Sequence, residues 1–267
     1  MKQASPRNTF HRTELIRTLS GLAVVDVAES AQPIAEQLGQ WVGVADALNL
    51  YAALNPAPAK TAATTGADAA ADMLVLEQEL TRVRQTLGQA LRDGDLHKLA
   101  IQARIPLPRA TPKAGDADGE ATQNYTADFT PYRRYCLGQQ RTMAVAIEAL
   151  RAKARAAAAG RSPALQQLAA LDAGLEQILG LREGELLAGA LRLLEKRFEH
   201  LRDTHHATCA TQATRVTTDD PEQWMQPGGW LAIFCNELRA TLLAELDLRL
   251  QPVTGLIASC RTETEPS

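Results

Sequence analysis

The chain has 267 residues, 45% hydrophobic but only 4% aromatic, and 28 basic against 31 acidic side chains give a formal net charge of −3. That length can bury a real core, and the near-neutral balance gives no global field for polyanion binding. Apolar runs such as Leu22 to Val25 and Met73 to Leu76 are far shorter than the ~18–20 residues that span a bilayer, and the N-terminus has no stretch resembling a secretory signal. A cytoplasmic protein is expected, possessing four isolated cysteines (Cys136, Cys209, Cys235 and Cys260) that read as small buried hydrophobes.

Ala and Leu dominate the apolar content, and both favour helix over strand. The expected fold is all-α: an elongated antiparallel helical bundle interrupted by two disordered linkers. Residues 1–55 read as an N-terminal helical pair. A first helix starts at Thr13, with Leu15, Ile16, Leu19 and Leu22 on one face. Asp26 to Ser30 form a turn, and Ser30 caps a second helix with Pro33 in its first turn. Its stripe is Ile34, Leu38, Trp41 and Val42, continued by Ala45, Leu48 and Tyr51 or Ala52. Gly39 and Gly43 mark a kink or a close helix contact, and Asn55-Pro56 ends the segment.

Residues 56–70 are rich in Pro, Ala and Thr and read as a flexible linker. Residues 71–104 form a heptad helix. Met73, Leu76, Leu80, Val83, Leu87 and Ala90 recur at alternating spacings of three and four, a clean seam. A short tail continues through His97 to Ile101. Residues 105–128, with Pro106, Pro108, Pro112 and the acidic Asp116, Asp118 and Glu120, read as a second, disordered linker.

Residues 129–258 form a C-terminal bundle of about four helices. Thr130-Pro131 and Ser162-Pro163 are start signals. Tyr135, Met143, Ile147 and Leu150 lead one helix into an alanine run ending at Gly160. Leu168, Leu171, Leu175 and Ile178 pattern the next, which Gly180 interrupts. Leu187, Leu191, Leu194, Phe198 and Leu201 pattern a third. A loop occupies 207–220, Gly228-Gly229 precedes a last helix with Leu231, Phe234, Leu238, Leu242 and Leu246 on one face, and Pro252 stops it. Residues 259–267 are a polar tail.

Chemistry is sparse. His205, His206 and Cys209 have spacings that metal sites use, but a solvated helix C-terminus explains them as well. Glu185, Glu195, Glu237, Glu245 and Asp247 do not form the Glu-x-x-His motif of di-iron bundles, and Glu245 and Asp247 read as the polar face of the last helix. Nucleophile elbows and glycine-rich phosphate loops are missing. No pattern calls for a cofactor or a small-molecule substrate, so a non-enzymatic protein is expected.

Two features suggest contacts. The seam residues Met73, Leu76, Leu80, Val83 and Leu87, tethered between linkers, can pack in cis or bind another copy or another protein. The basic stretch containing Arg133, Arg134, Arg151, Lys153 and Arg155 can meet phosphate or an acidic partner, with Tyr132 and Tyr135 beside it, or be a solvated face balanced by acidic neighbours. Few interleaved aromatics follow, which weighs against nucleic acid.

Several long strings carry a family resemblance: RTELIRTLSGLAVVDVAES, AEQLGQWVGVADALNLYAALN, FTPYRRYCLGQQRTMAVAIEALRAK, LLEKRFEHLR and WLAIFCNELRATLLAELDLRLQPVTGLIAS. Together they resemble an uncharacterised proteobacterial family, domain of unknown function 3348, over almost the whole chain outside the linkers. The resemblance assigns no residue a role. It implies an association with proton-channel proteins of the flagellar-stator, TolQ and ExbB type and with peptidoglycan binders resembling outer-membrane protein A. The protein would then be a soluble accessory of an ion-driven assembly, at the periphery of the inner membrane. The reading is a helical interaction or adaptor protein, and the alternative is a nucleic-acid-associated regulator using the basic helix at 133–155.

Overall fold

A computed structural model describes residues 14–22, 42–54, 66–106, 125–212 and 222–262. The expected turn at Asp26 to Ser30, the stripe from Ile34 to Trp41, the acidic run at 116–120 and the tail beyond Thr262 lie outside these residues.

The described residues are overwhelmingly helical, as expected. In chain order they form α1 (Glu14–Leu22), α2 (Val44–Leu54), α3 (Gly66–Asp93), α4 (Leu96–Ala103), β1 (Arg104–Pro106), β2 (Tyr125–Ala127), α5 (Thr130–Ala159), α6 (Pro163–Gln212), a 3-10 turn (Gln223–Met225) and α7 (Trp230–Thr262). Four long helices, α3, α5, α6 and α7, form the frame, in which α5 and α7 touch each other and both α3 and α6. Cross-helix contacts give the directions. Lys153 of α5 reaches Glu79 of α3, Arg84 of α3 faces Asp247 of α7, and Arg133 of α5 reaches Glu195 of α6. Arg197 of α6 holds Glu237 of α7, and Gln140 of α5 and Arg161 in the turn that follows α5 meet Glu245 and Cys260 of α7. So α5 runs parallel to α7, and α3 and α6 run antiparallel to both.

α7 is the axis. Its buried positions, from Trp230 through Leu238, Leu242, Leu250 and Val253 to Cys260, face several neighbours rather than one, as expected of a helix surrounded by others. α1 packs on α7 and α6, α2 on α6, and α4 on α5.

Several expected boundaries move. Helix α3 begins at Gly66, inside the stretch read as linker, and α4 is a separate helix capped by Asp95, whose side chain accepts from the Lys98 amide at 3.0 Å. β1 and β2 pair antiparallel, Arg104 opposite Ala127, at the two ends of the second linker. Ser162 caps α6 by accepting from the Leu165 amide at 3.1 Å, and the chain turns from α5 to α6 through Gly160. α6 then runs unbroken for 50 residues, ~75 Å at 1.5 Å per residue. Gly180 does not interrupt it, and residues 207–212 are helix rather than loop. Likewise Pro252 lies inside α7, which continues to Thr262 and buries Cys260. The C-terminal half is therefore three long helices, not four shorter ones. A single glycine costs about 1 kcal/mol and an interior proline about 3 kcal/mol, less than the packing these helices gain.

The seam of α3 packs in cis. Met73, Leu76 and Leu87 are buried, with Leu80 and Val83 beside them, in the same core as α5 and α7. Ala90 is exposed and Leu91 takes its place. On α1, Leu15 and Leu22 are buried and Ile16 is exposed; on α2, Leu48 and Tyr51 are exposed, against the expected stripe.

Candidate functional site

Halfway along the bundle the packing opens. Between Ala169 and Leu187, both buried, α6 has no buried side chain among those described. The expected stripe leaves Leu171 and Ile178 half-buried and Leu175 exposed. A groove of ≈ 690 Å³ lies here between α5, α6 and α7. Its apolar surface includes Ile147, Leu179, Leu248 and Pro252, and its charges come from Arg151, Arg182, Arg249, Glu148, Glu176 and Glu183. A Cβ added at Gly180 or Gly184 would meet nothing within 4 Å. Pro252 has no amide hydrogen to offer the Leu248 carbonyl one turn back, and both residues line the groove.

Ion pairs flank it. On the α5–α6 side, Arg151 binds Asp172 in bidentate fashion at 2.8 and 2.6 Å and Glu176 at 3.1 Å, while Arg155 binds Asp172 at 2.6 Å and Glu176 at 2.5 Å. Burial pushes the Asp172 carboxyl up, but hydrogen bonds from the two guanidinium groups and their charges outweigh it and hold it below the ordinary range. On the α7 side, Glu245 is 1% exposed. Its carboxylate accepts from Arg249 Nε at 2.8 Å and from Gln140 Nε2 at 2.9 Å, and Arg249 also reaches Glu183 of α6 at 3.1 Å. Glu245 is thus a buried anchor joining α5, α6 and α7, not part of a polar outer face. Its spacing of seven from Leu238, on the apolar stripe, was the signal in the sequence.

The basic stretch is largely neutralised within the chain. Arg133 pairs with Glu195, Lys153 with Glu79, and Arg151 and Arg155 with Asp172 and Glu176, while Arg134 stands exposed on the outer face of α5. Tyr132, expected beside a phosphate, is fully buried.

One end of the bundle is a packed aromatic head that sequence reasoning did not assemble. The Phe198 ring lies 5.0 Å from Phe234, 5.4 Å from Trp230 and 5.7 Å from both Phe129 and Tyr132. Trp224 and His205 extend it. The His205 ring stacks on Trp230 at 6.1 Å, and its Nε2 lies 3.6 Å from Cys209 Sγ. Among the described residues no group of three or more His, Cys, Asp or Glu is placed to hold a metal ion. Three cysteines, Cys136, Cys235 and Cys260, are buried, and Cys209 is half-exposed. Burial pushes the Cys136 thiol up to about 12, the nearby Glu245 charge adding to it. It pushes Cys235 up to about 11, against the Tyr132 hydrogen bond and the Arg239 charge. Neither is a thiolate at neutral pH, so neither is poised as a nucleophile.

The sequence matches, over residues 1–262, the family described as protein of unknown function, DUF3348. The chain belongs to this family. No curated protein and no solved structure matches it. The matched residues of this DUF3348 chain run to the end of α7, so the groove and the head both lie inside the family region. None of its described helices is long and apolar enough to cross a membrane.

Proposed function

We propose that this protein is a non-enzymatic helical adaptor, cytoplasmic, that receives a helix of a partner protein in the mid-bundle groove. The observation that carries this reading is the open concavity itself, where Leu179 of α6, Ile147 of α5 and Leu248 and Pro252 of α7 line one apolar surface beside a stretch of α6, between Ala169 and Leu187, that buries no described side chain. A helix with a narrow apolar stripe and charged flanks suits such a surface. Arg182 and Glu183 at the rim supply both signs of charge for register. Because the α3 seam is occupied within the chain, the groove replaces it as the proposed contact surface. The family resemblance implies where the partner sits, in an ion-driven assembly of the inner membrane.

A photoreactive amino acid at position 180 tests this. One discrete cross-linked protein is expected, and the same partner, once purified, should bind the Leu179→Glu variant at least ~10-fold more weakly, about 1.4 kcal/mol. A crosslink at position 145, on the outer face of α5, serves as control. Equal labelling at 145 and 180, or affinity unchanged by Leu179→Glu, would overturn the reading.

A further inference from the structure

A second concavity lies well away from the groove, where the turn between α3 and α4 meets the start of α7. It has a volume of ≈ 500 Å³, within the roughly 300–1,000 Å³ usual for small-molecule sites. Leu96, Met225, Pro227 and Ala232 supply apolar wall, and His97, Asn236 and Arg239 bring nitrogen donors to the same space.

Arg239 is what sets this cleft apart. Four other partly buried arginines of the long helices, Arg151, Arg155, Arg197 and Arg249, each hold a carboxylate at 2.6–2.8 Å. Arg239 has no carboxylate within ion-pair distance among the described residues. Its bonds are two long ones to neutral oxygens, Nε to the Leu91 carbonyl and one terminal nitrogen to Asn236 Oδ1, both at 3.4 Å. The ionisable groups its charge acts on are Tyr135 and Cys235, both of which burial keeps neutral. The Tyr135 hydroxyl packs behind Gly94, on the cleft wall, and has no hydrogen-bond partner. A guanidinium held half-buried beside neutral polar groups keeps its donor fork available, and that fork matches a carboxylate in bidentate geometry.

The one acidic group in the lining, Asp95, is already engaged. It caps α4 through the Lys98 amide and pairs with Lys98 Nζ at 3.1 Å. Its charge at the rim favours a singly charged ligand over a dianionic phosphate.

We propose that this cleft is a binding site for a small monocarboxylate with a short apolar body, its carboxylate anchored on Arg239 and its body against Leu96, Met225, Pro227 and Ala232. The sequence pattern gave no hint of such a ligand, and the site is independent of the groove.

Ligand-observed NMR on the full chain tests it, with hexanoate as probe and hexanol and inorganic phosphate as controls. Saturable hexanoate binding below ~20 mM is expected, with hexanol and phosphate at least ~10-fold weaker. Arg239→Gln should lose at least ~10-fold in hexanoate affinity while Arg239→Lys loses less. If Arg239→Gln does not fold, Ala232→Phe, which fills the cleft and keeps the arginine, should abolish binding. Absent saturable hexanoate binding, equal binding of hexanol or phosphate, or unchanged affinity in Arg239→Gln or Ala232→Phe would overturn the proposal.

Discussion

The aromatic head and the middle of the bundle are built from the same α5, α6 and α7, yet in opposite ways. At the head, Phe129, Tyr132, Phe198, Trp230 and Phe234 interlock edge-to-face, and α6 is buried at Leu191, Leu194 and Phe198. In the middle, α6 buries no described side chain between Ala169 and Leu187, and ion pairs link it to α5 and α7 beside an aliphatic core that those two helices supply. Buried rings stabilise by the large apolar area they remove from water, with edge-to-face pairing adding to it, so they can carry the fold. Ion pairs fix register but add little net stability. The contrast teaches that one end secures the bundle while the middle keeps its spacing and leaves a surface open.

The largest expected effect is at the head. Phe198→Ala removes a fully buried ring with four aromatic neighbours and should cost ~3–5 kcal/mol, whereas Leu179→Ala in the groove should cost less than ~1 kcal/mol; urea unfolding compares them. Equal losses would break the contrast.

Next comes the buried pair. Arg249→Leu leaves the Glu245 carboxylate with only Gln140 and should cost ~3–5 kcal/mol. Adding Glu245→Leu should recover most of that, because no uncompensated charge remains. A double variant as unstable as the single one would mean that the pair itself holds the middle together.

Glycines sharpen the comparison at smaller scale. A Cβ at Gly229, in the head, would strike the carbonyl oxygens of Gln223 and Trp224, so Gly229→Ala should lose ~1–3 kcal/mol. Gly180→Ala and Gly184→Ala meet open space and should each gain ~0.5–1 kcal/mol by helix propensity. Thermal melts read the signs.

The smallest effect is in acid. Asp172 has a lowered folded pKa, so its pairing stabilises fully above the unfolded value of ~3.9 and is lost as pH falls through the folded value. Asp172→Asn should be less stable than wild type at pH 7, and the gap should shrink below ~pH 4.

How much of this was legible follows from locality. The start at Ser162-Pro163, the end at Gly160 and the Gly228-Gly229 entry to α7 are written in adjacent residues, and the structure has them; at Thr130-Pro131 the helix begins as expected, but Phe129 takes the cap position and Thr130 is already helical. Gly228 adopts a φ of 86°, which favours glycine. Gly180 and Pro252 misled because their local cost is outweighed by packing that only the assembled bundle shows. The drift from Ala90 to Leu91 reflects where α3 meets α7, near Arg239. The site was less legible. Arg151 and Arg155 find Asp172 and Glu176 across a turn, and Arg239's lack of a carboxylate is a fact of tertiary placement that no spacing encodes.

Hydrogen exchange along α6 in the intact protein tests the division between head and middle most directly. Amides around residues 174–185 should exchange at least ~100-fold faster than those around 191–201, a difference of about 2.7 kcal/mol in local opening. Uniform protection along the whole helix would contradict it.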